Sequence, residues 1–154
     1  MARVSAVTIV QKAEEHTLHM RKTIHFETEF AGFAQLAFQE AAAHIEALGL
    51  LPAGGPYVCF RNMDLGQLDV EAGWPVAQQA DGKGDVCAGV LKAGKVATAI
   101  DLGPYERSDP TLTDVMTWIE KEGYAMSGPI YYRYLNDTER PESEFLTCME
   151  VPVE

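Results

Sequence analysis

Two acidic strand residues, Glu71 and Glu150, stand out as residues able to do chemistry. Glu71 lies in "LDVEAGWPV" and Glu150 in "EFLTCMEVPV". A nearby strand, "GPIYYRYLND", holds three tyrosines within four positions, and "GPYVCFRNMD" repeats its pattern earlier in the chain. Aromatic faces flanked by a carboxylate suit a lipophilic cation, through cation–π contact and a counter-charge. A carboxyl group drawn out of water also has its pKa raised, as a general acid requires.

Other chemistries find no frame. The cysteines, Cys59, Cys87 and Cys148, form no C-x-x-C, and His16, His19, His25 and His44 form no H-E-x-x-H, so no metal and no cofactor are expected. No motif supports haem ligation by a histidine. "DGKGD" at 81–85 lacks the P-loop pattern. Nucleophilic catalysis by Cys148 would need a base, and the last strand has no histidine.

The totals bound the function further. The chain has 154 residues, with 12 Lys and Arg against 23 Asp and Glu, a net charge of −11. That length suits one domain with its own core, 1–154. The acidic balance repels phosphate backbones and anionic membranes and attracts cations, so neither nucleic acid nor membrane is an expected direct partner. No apolar run reaches the ~20 residues of a membrane helix. An odd number of scattered cysteines without a signal peptide predicts reduced thiols and a cytoplasmic location.

The elements that position these residues occur twice. "AHIEALGLLPAGGPYVCFRNMD" and "TWIEKEGYAMSGPIYYRYLND" share Ile-Glu-x-x-Gly, a loop, Gly-Pro and an aromatic strand. Ile45 and Ile119 stand 74 apart, as do Gly49 and Gly123, while Pro56 and Pro129 stand 73 apart. Each copy ends in Pro-Val, and "VQKA" recurs as "VLKA" 80 residues on. The fold class expected is α+β: two pseudo-symmetric repeats, about 1–80 and about 81–154, each strand-strand-helix-strand-strand, with a ligand cleft between them. Expected strands are 4–10, 17–24, 86–91 and 96–101. The first helix is expected over 30–48, capped by Thr28 and ended by Gly49, and the second after Asp109-Pro110, ended by Gly123.

Strand parity assigns faces. Leu68, Val70, Ala72 and Trp74 make the apolar face of one strand, leaving Asp69, Glu71 and Gly73 toward the cleft. On the last strand Leu146, Cys148 and Glu150 share the cleft face. If Tyr132 faces the cleft, Ile130 and Tyr134 do too, with Tyr131, Arg133 and Leu135 facing away, and the repeat puts Tyr57, Cys59 and Arg61 in the matching places. The expected ligand-binding residues are therefore Tyr57, Cys59, Glu71, Tyr132, Tyr134, Cys148 and Glu150. Tyr105 and Trp118 are expected at the cleft edge.

"DLGPYE" (101–106), "TWIEKEGY" (117–124), "YLND" (134–137) and the terminal T-x-x-x-x-P-V (147–153) resemble the GyrI-like small-molecule-binding domain. That family is similar to the effector-binding domains of AraC-type and MerR-type multidrug regulators and to the SOUL haem-binding family. The resemblance implies a stand-alone domain here, binding aromatic or cationic organic molecules. It also implies two alternatives: a hydrolase of cyclopropane-bearing toxins, with Glu71 or Glu150 as acid or base, or an interaction protein acting on a partner such as gyrase. The family's usual acid lies two residues before the tyrosine of "YLND", where this chain has Tyr132. A second common acid follows the terminal threonine, where it has Cys148. The counter-charge is thereby expected to move to Glu71 or Glu150.

Overall fold

A computed structural model describes residues 2–104, 109–137 and 139–154. The fold is mixed α+β with antiparallel strands, and the chain divides into two compact units. One comprises Ala13–Ala93; the other comprises the residues up to Lys12 together with Gly94–Glu154.

In the first unit, β3 (Glu15–Ile24) leads into α1 (Phe26–Ala47), followed by β4 (Tyr57–Phe60), β5 (Leu68–Val76) and β6 (Cys87–Leu91). The sheet order is β4-β5-β3-β6, all antiparallel. The alternation of β5 explains how α1 is held. Leu68, Val70 and Ala72 are buried, and the helix presents Phe33, Ala34, Ala37, Ala41 and Ile45. Leu18, Ala41, Ile45, Val76 and Val86 form one cluster, joined by Met20 and Trp74. Trp74 is thus a core residue, its indole donating to the Phe38 carbonyl at 3.0 Å, as a half-buried indole N–H must.

The other unit repeats the plan. β1 (Ala2–Arg3) and β2 (Thr8–Lys12) pair with β7 (Gly94–Leu102), which leads into α2 (Pro110–Lys121), then β8 (Ile130–Tyr134) and β9 (Leu146–Pro152). β9 lies between β7 and β8. Val115 and Ile119 of α2 pack on Ala97, Ala99, Ile130, Met149 and Val151. Asp109 caps α2 by accepting from the Leu112 N–H at 2.9 Å, with Pro110 at the first helical position, where its missing N–H costs nothing. Gly49 and Gly123 follow the two helices with φ of 72° and 81°. Only glycine adopts that left-handed conformation without strain.

Three expectations shift. α1 begins at Phe26, one turn before the expected Phe30; Thr28 lies inside the first turn and is not its cap. The strand expected over 4–10 is instead β2, which starts at Thr8, with the two-residue β1 at Ala2–Arg3 before it. β2 pairs with β7, just as β6 pairs with β3. The first strand of each sequence copy therefore belongs to the unit built mainly from the other copy. The copies, 1–80 and 81–154, and the compact units are different divisions of the chain.

One glycine is fixed by space. A Cβ at Gly73 would lie 2.2 Å from the Leu18 carbonyl oxygen and 2.6 Å from the His19 Cα. Both are backbone atoms of the neighbouring strand and cannot rotate away. Gly73→Ala is expected to destabilise the protein by about 1–3 kcal/mol through overpacking, read as a lower urea midpoint at an unchanged m-value.

Candidate functional site

The polar chemistry gathers on the faces of the two sheets turned away from the helices. In the first unit this follows from register. His19 stands opposite Gly73, Arg21 opposite Glu71, Tyr57 opposite Gly73 and Cys59 opposite Glu71. Residues in register or two apart share a face. Thr17, His19, Arg21, Tyr57, Cys59, Asp69 and Glu71 are therefore on one side.

Glu71 is the centre of that group and only 2% exposed. The Tyr57 hydroxyl donates to its Oε2. Arg61 Nη2 donates to Oε1 at 2.7 Å, and His19 Nδ1 lies 3.7 Å from Oε2. A buried carboxylate needs such partners, since removal from water costs several kcal/mol per ion. Burial first, then the Glu71 charge, push the Tyr57 phenol far up, so it stays a donor. Burial lowers His19 from its ordinary value, outweighing the upward pull of Glu71; Arg61 and Arg21 lower it further. His19 is therefore neutral at pH 7. Beside them Arg21 grips Asp69 through two hydrogen bonds, at 2.8 and 2.6 Å, and these hold Asp69 below its usual range.

The charges of this group balance. Glu71 and Asp69 are matched by Arg61 and Arg21. The partners differ in exposure: the Tyr57 ring is fully buried, whereas the Arg61 side chain is 31% exposed.

In the other unit the corresponding face carries Glu150, Cys148, Thr98, Arg133 and Lys12. Glu150 is buried and accepts from Arg133 Nε at 2.7 Å, with Lys12 Nζ at 3.2 Å. Two cations thus meet one carboxylate. Burial pushes the Cys148 thiol up against the opposing effect of the Thr98 hydroxyl, so it stays protonated and a poor nucleophile.

The expected faces of β5, β9 and β4 are those found, but that of β8 is reversed. Tyr131 stands opposite Glu150 and Arg133 opposite Cys148, whereas Tyr132 pairs with Met149 and Tyr134 with Thr147. Tyr132 packs on the α2 core, and its hydroxyl donates to Asp109 at 2.6 Å. The cause is one residue. Tyr57 directly follows Gly55-Pro56, while its structural counterpart is Tyr131, one residue further beyond Gly128-Pro129. A slip of one exchanges the two faces of a strand. Tyr132 and Tyr134 therefore share a face with the buried Met149 and Thr147, not with Glu150. Trp118 packs against the α2 core and stacks on Tyr124 with ring centroids 6.0 Å apart. Tyr105 lies outside the described residues.

Sequence reasoning did not place His19, Arg61, Arg21, Thr17 or Arg133 among the site residues. One signal was available for His19: glycines inside strands mark a close approach. Gly73 and Gly89 are such glycines, and both leave room for His19. Among the described residues no three His, Cys, Asp or Glu side chains cluster to hold a metal ion. No helix among them is long and apolar enough to cross a membrane.

The sequence matches the GyrI-like small molecule binding domain over residues 5–154. The chain belongs to that family. No curated protein matches it. Among solved structures, this GyrI-like chain is similar to the EcmrR C-terminal domain, with a TM-score of 0.86 at 18% identity, covering 98% of each chain. It is also similar to EcmrR in its complex with DNA, with a TM-score of 0.85 at 19% identity and 97% of this chain covered. There it spans only 57% of the EcmrR chain. A third similar structure is SAV2435 bound to tetraphenylphosphonium, with a TM-score of 0.68 at 15% identity, covering 97% of this chain and 94% of that one. At these identities the likeness is one of fold.

Proposed function

We propose that this GyrI-like chain binds small organic cations carrying aromatic groups, and that Glu71 supplies the counter-charge. The observation carrying this reading is the buried Glu71 carboxylate, held by a buried tyrosine and by a partly exposed arginine. A ligand cation can take the place of the Arg61 guanidinium, leaving Tyr57 to hold the second oxygen. Family membership supports a small-molecule role, and the tetraphenylphosphonium held by SAV2435 supports a cationic one. The net charge of −11 favours cations before contact. The three free cysteines fit a reducing compartment, and we place the protein in the cytoplasm.

Glu71 suits the role better than Glu150 on charge count. A ligand at Glu150 would have to displace or tolerate both Arg133 and Lys12.

Thermal unfolding with tetraphenylphosphonium, and with uncharged triphenylphosphine oxide, tests the proposal. At a hundredfold excess over its dissociation constant the cation contributes about 2.7 kcal/mol, a rise of roughly 5–10 °C for a chain of this size. The neutral compound is expected to give a small fraction of that. An equal response to both removes the case for a counter-charge, and no response to either removes the site.

A further inference from the structure

His19 is built into the Glu71 site with unusual care for a residue that no part of the proposed binding uses. Its imidazole occupies the space that a side chain at position 89 would fill. A Cβ at Gly89 on β6 would lie 2.5 Å from His19 Cε1 and 2.7 Å from Nδ1, and one at Gly73 on β5 would lie 2.7 Å from His19 Cβ. Gly89 thus clears a slot for the ring, Gly73 admits the β3 backbone beside it, and the ring lies on the face that carries Glu71. Within the slot Nδ1 lies 3.2 Å from the buried Thr17 hydroxyl and 3.7 Å from Glu71 Oε2. Thr17 can donate to Nδ1 when the ring is neutral and accept from it when Nδ1 is protonated, because a hydroxyl does both. Both states of the ring are therefore accommodated, with opposite consequences for Glu71.

We propose that His19 sets the charge class the Glu71 site accepts: as a neutral ring it leaves the carboxylate to an organic cation, and as imidazolium it takes the carboxylate itself and disfavours cations. This rests on the reading of Glu71 as the ligand's counter-charge. The groups facing the ring are Glu71 and Asp69 from β5, Tyr57 and Cys59 from β4, the neighbouring Arg61, Arg21 and Thr17 from its own strand, and Cys87 opposite it on β6. With Arg61 pairing Glu71 and Arg21 pairing Asp69, the group is neutral, and a proton on His19 makes it cationic. Competition between proton and ligand has a fixed sign. Affinity is greatest above the ordinary histidine range and falls as pH drops through the depressed pKa of His19, with a limit of about tenfold per pH unit for one displaced proton.

Tetraphenylphosphonium is the probe, because its own charge does not change with pH. Its dissociation constant is measured by calorimetry from pH 7.5 to 4.5 for the natural protein and for His19→Gln. The expected result is a weakening of several-fold in the natural protein beyond any slope the variant shows, the variant's own slope belonging to carboxylates. Parallel curves overturn the inference and leave the Glu71 reading standing. No binding at pH 7.5 in the natural protein overturns both. A second measurement needs no variant: the His19 ring is titrated by NMR with and without the cation. By reciprocity, bound cation must lower the His19 pKa further, and an unchanged titration overturns the inference.

Discussion

Arg61→Gln is expected to make the protein less stable and, at the same time, a better binder of tetraphenylphosphonium. Glutamine still offers one donor to Glu71 Oε1 but no charge, so the buried carboxylate loses its ionic partner. Breaking a fully buried pair costs ~3–5 kcal/mol. Arg61 is partly solvated, and discounting for that exposure leaves about 1–3 kcal/mol, a fall of several degrees in Tm. The ligand no longer has to displace a guanidinium, so its affinity should rise by roughly 3–30-fold, a share of the value of a charged hydrogen bond. Urea unfolding and calorimetric titration give the two numbers on one sample. The opposite signs are the test. If Arg61→Gln weakened both stability and binding, Arg61 would be a ligand contact and not a stand-in for the ligand.

Glu71→Gln is the second large effect. The amide is close to isosteric and can still accept from Tyr57, so the fold should persist with a modest loss from the unpaired Arg61. The counter-charge is gone, however, and in a site where Tyr57 and Glu71 are both buried it is not replaced by water. Affinity for tetraphenylphosphonium is expected to fall by roughly 10–100-fold, the ~1.5–3 kcal/mol of an interaction with a buried charge. Triphenylphosphine oxide should be unaffected. Glu150→Gln is the matched comparison. Its carboxylate is already held by Arg133 and Lys12, and its removal should change affinity by less than about threefold.

The fold was legible in the sequence where a pattern depends on one strand or helix alone. The alternation of Leu68, Val70 and Ala72 with Asp69, Glu71 and Gly73 follows from the two-residue period of a strand and holds in the structure. Asp109-Pro110 marks the start of α2, and Gly49 and Gly123 the ends of both helices, because caps are local. Matters between strands were less legible. The expected face of β8 rested on Tyr132 standing where the family has its cleft acid, and the register with β9 puts Tyr131 and Arg133 beside Glu150 and Cys148 instead. The pairing of β2 with β7 was not visible either, since nothing within "TIVQK" names its partner strand.

The candidate site divides in the same way. Tyr57, Cys59 and Glu71 come together as parity predicts. Their charge balance could not be read, because Arg61, just past the end of β4, is ten residues from Glu71 on β5 and meets it only through the pairing of those strands. His19 was set aside for want of a metal motif, although its meaning lies with Gly73 and Gly89, far away in sequence. A histidine ring that fills the space beside a glycine of another strand is a tertiary feature.

If Glu71 is the counter-charge for a bound organic cation, the cation must sit beside it. A crystal of the protein grown with tetraphenylarsonium tests it most directly, because arsenic is located by its anomalous scattering without reference to the surrounding structure. The expected result is an arsenic peak on the β5 face that carries Glu71, within about 6 Å of the carboxylate or of an aromatic face beside it, with the Arg61 guanidinium moved off Oε1. An arsenic peak confined to the neighbourhood of Glu150, or Arg61 still bonded to Glu71 with the cation bound elsewhere, would contradict it.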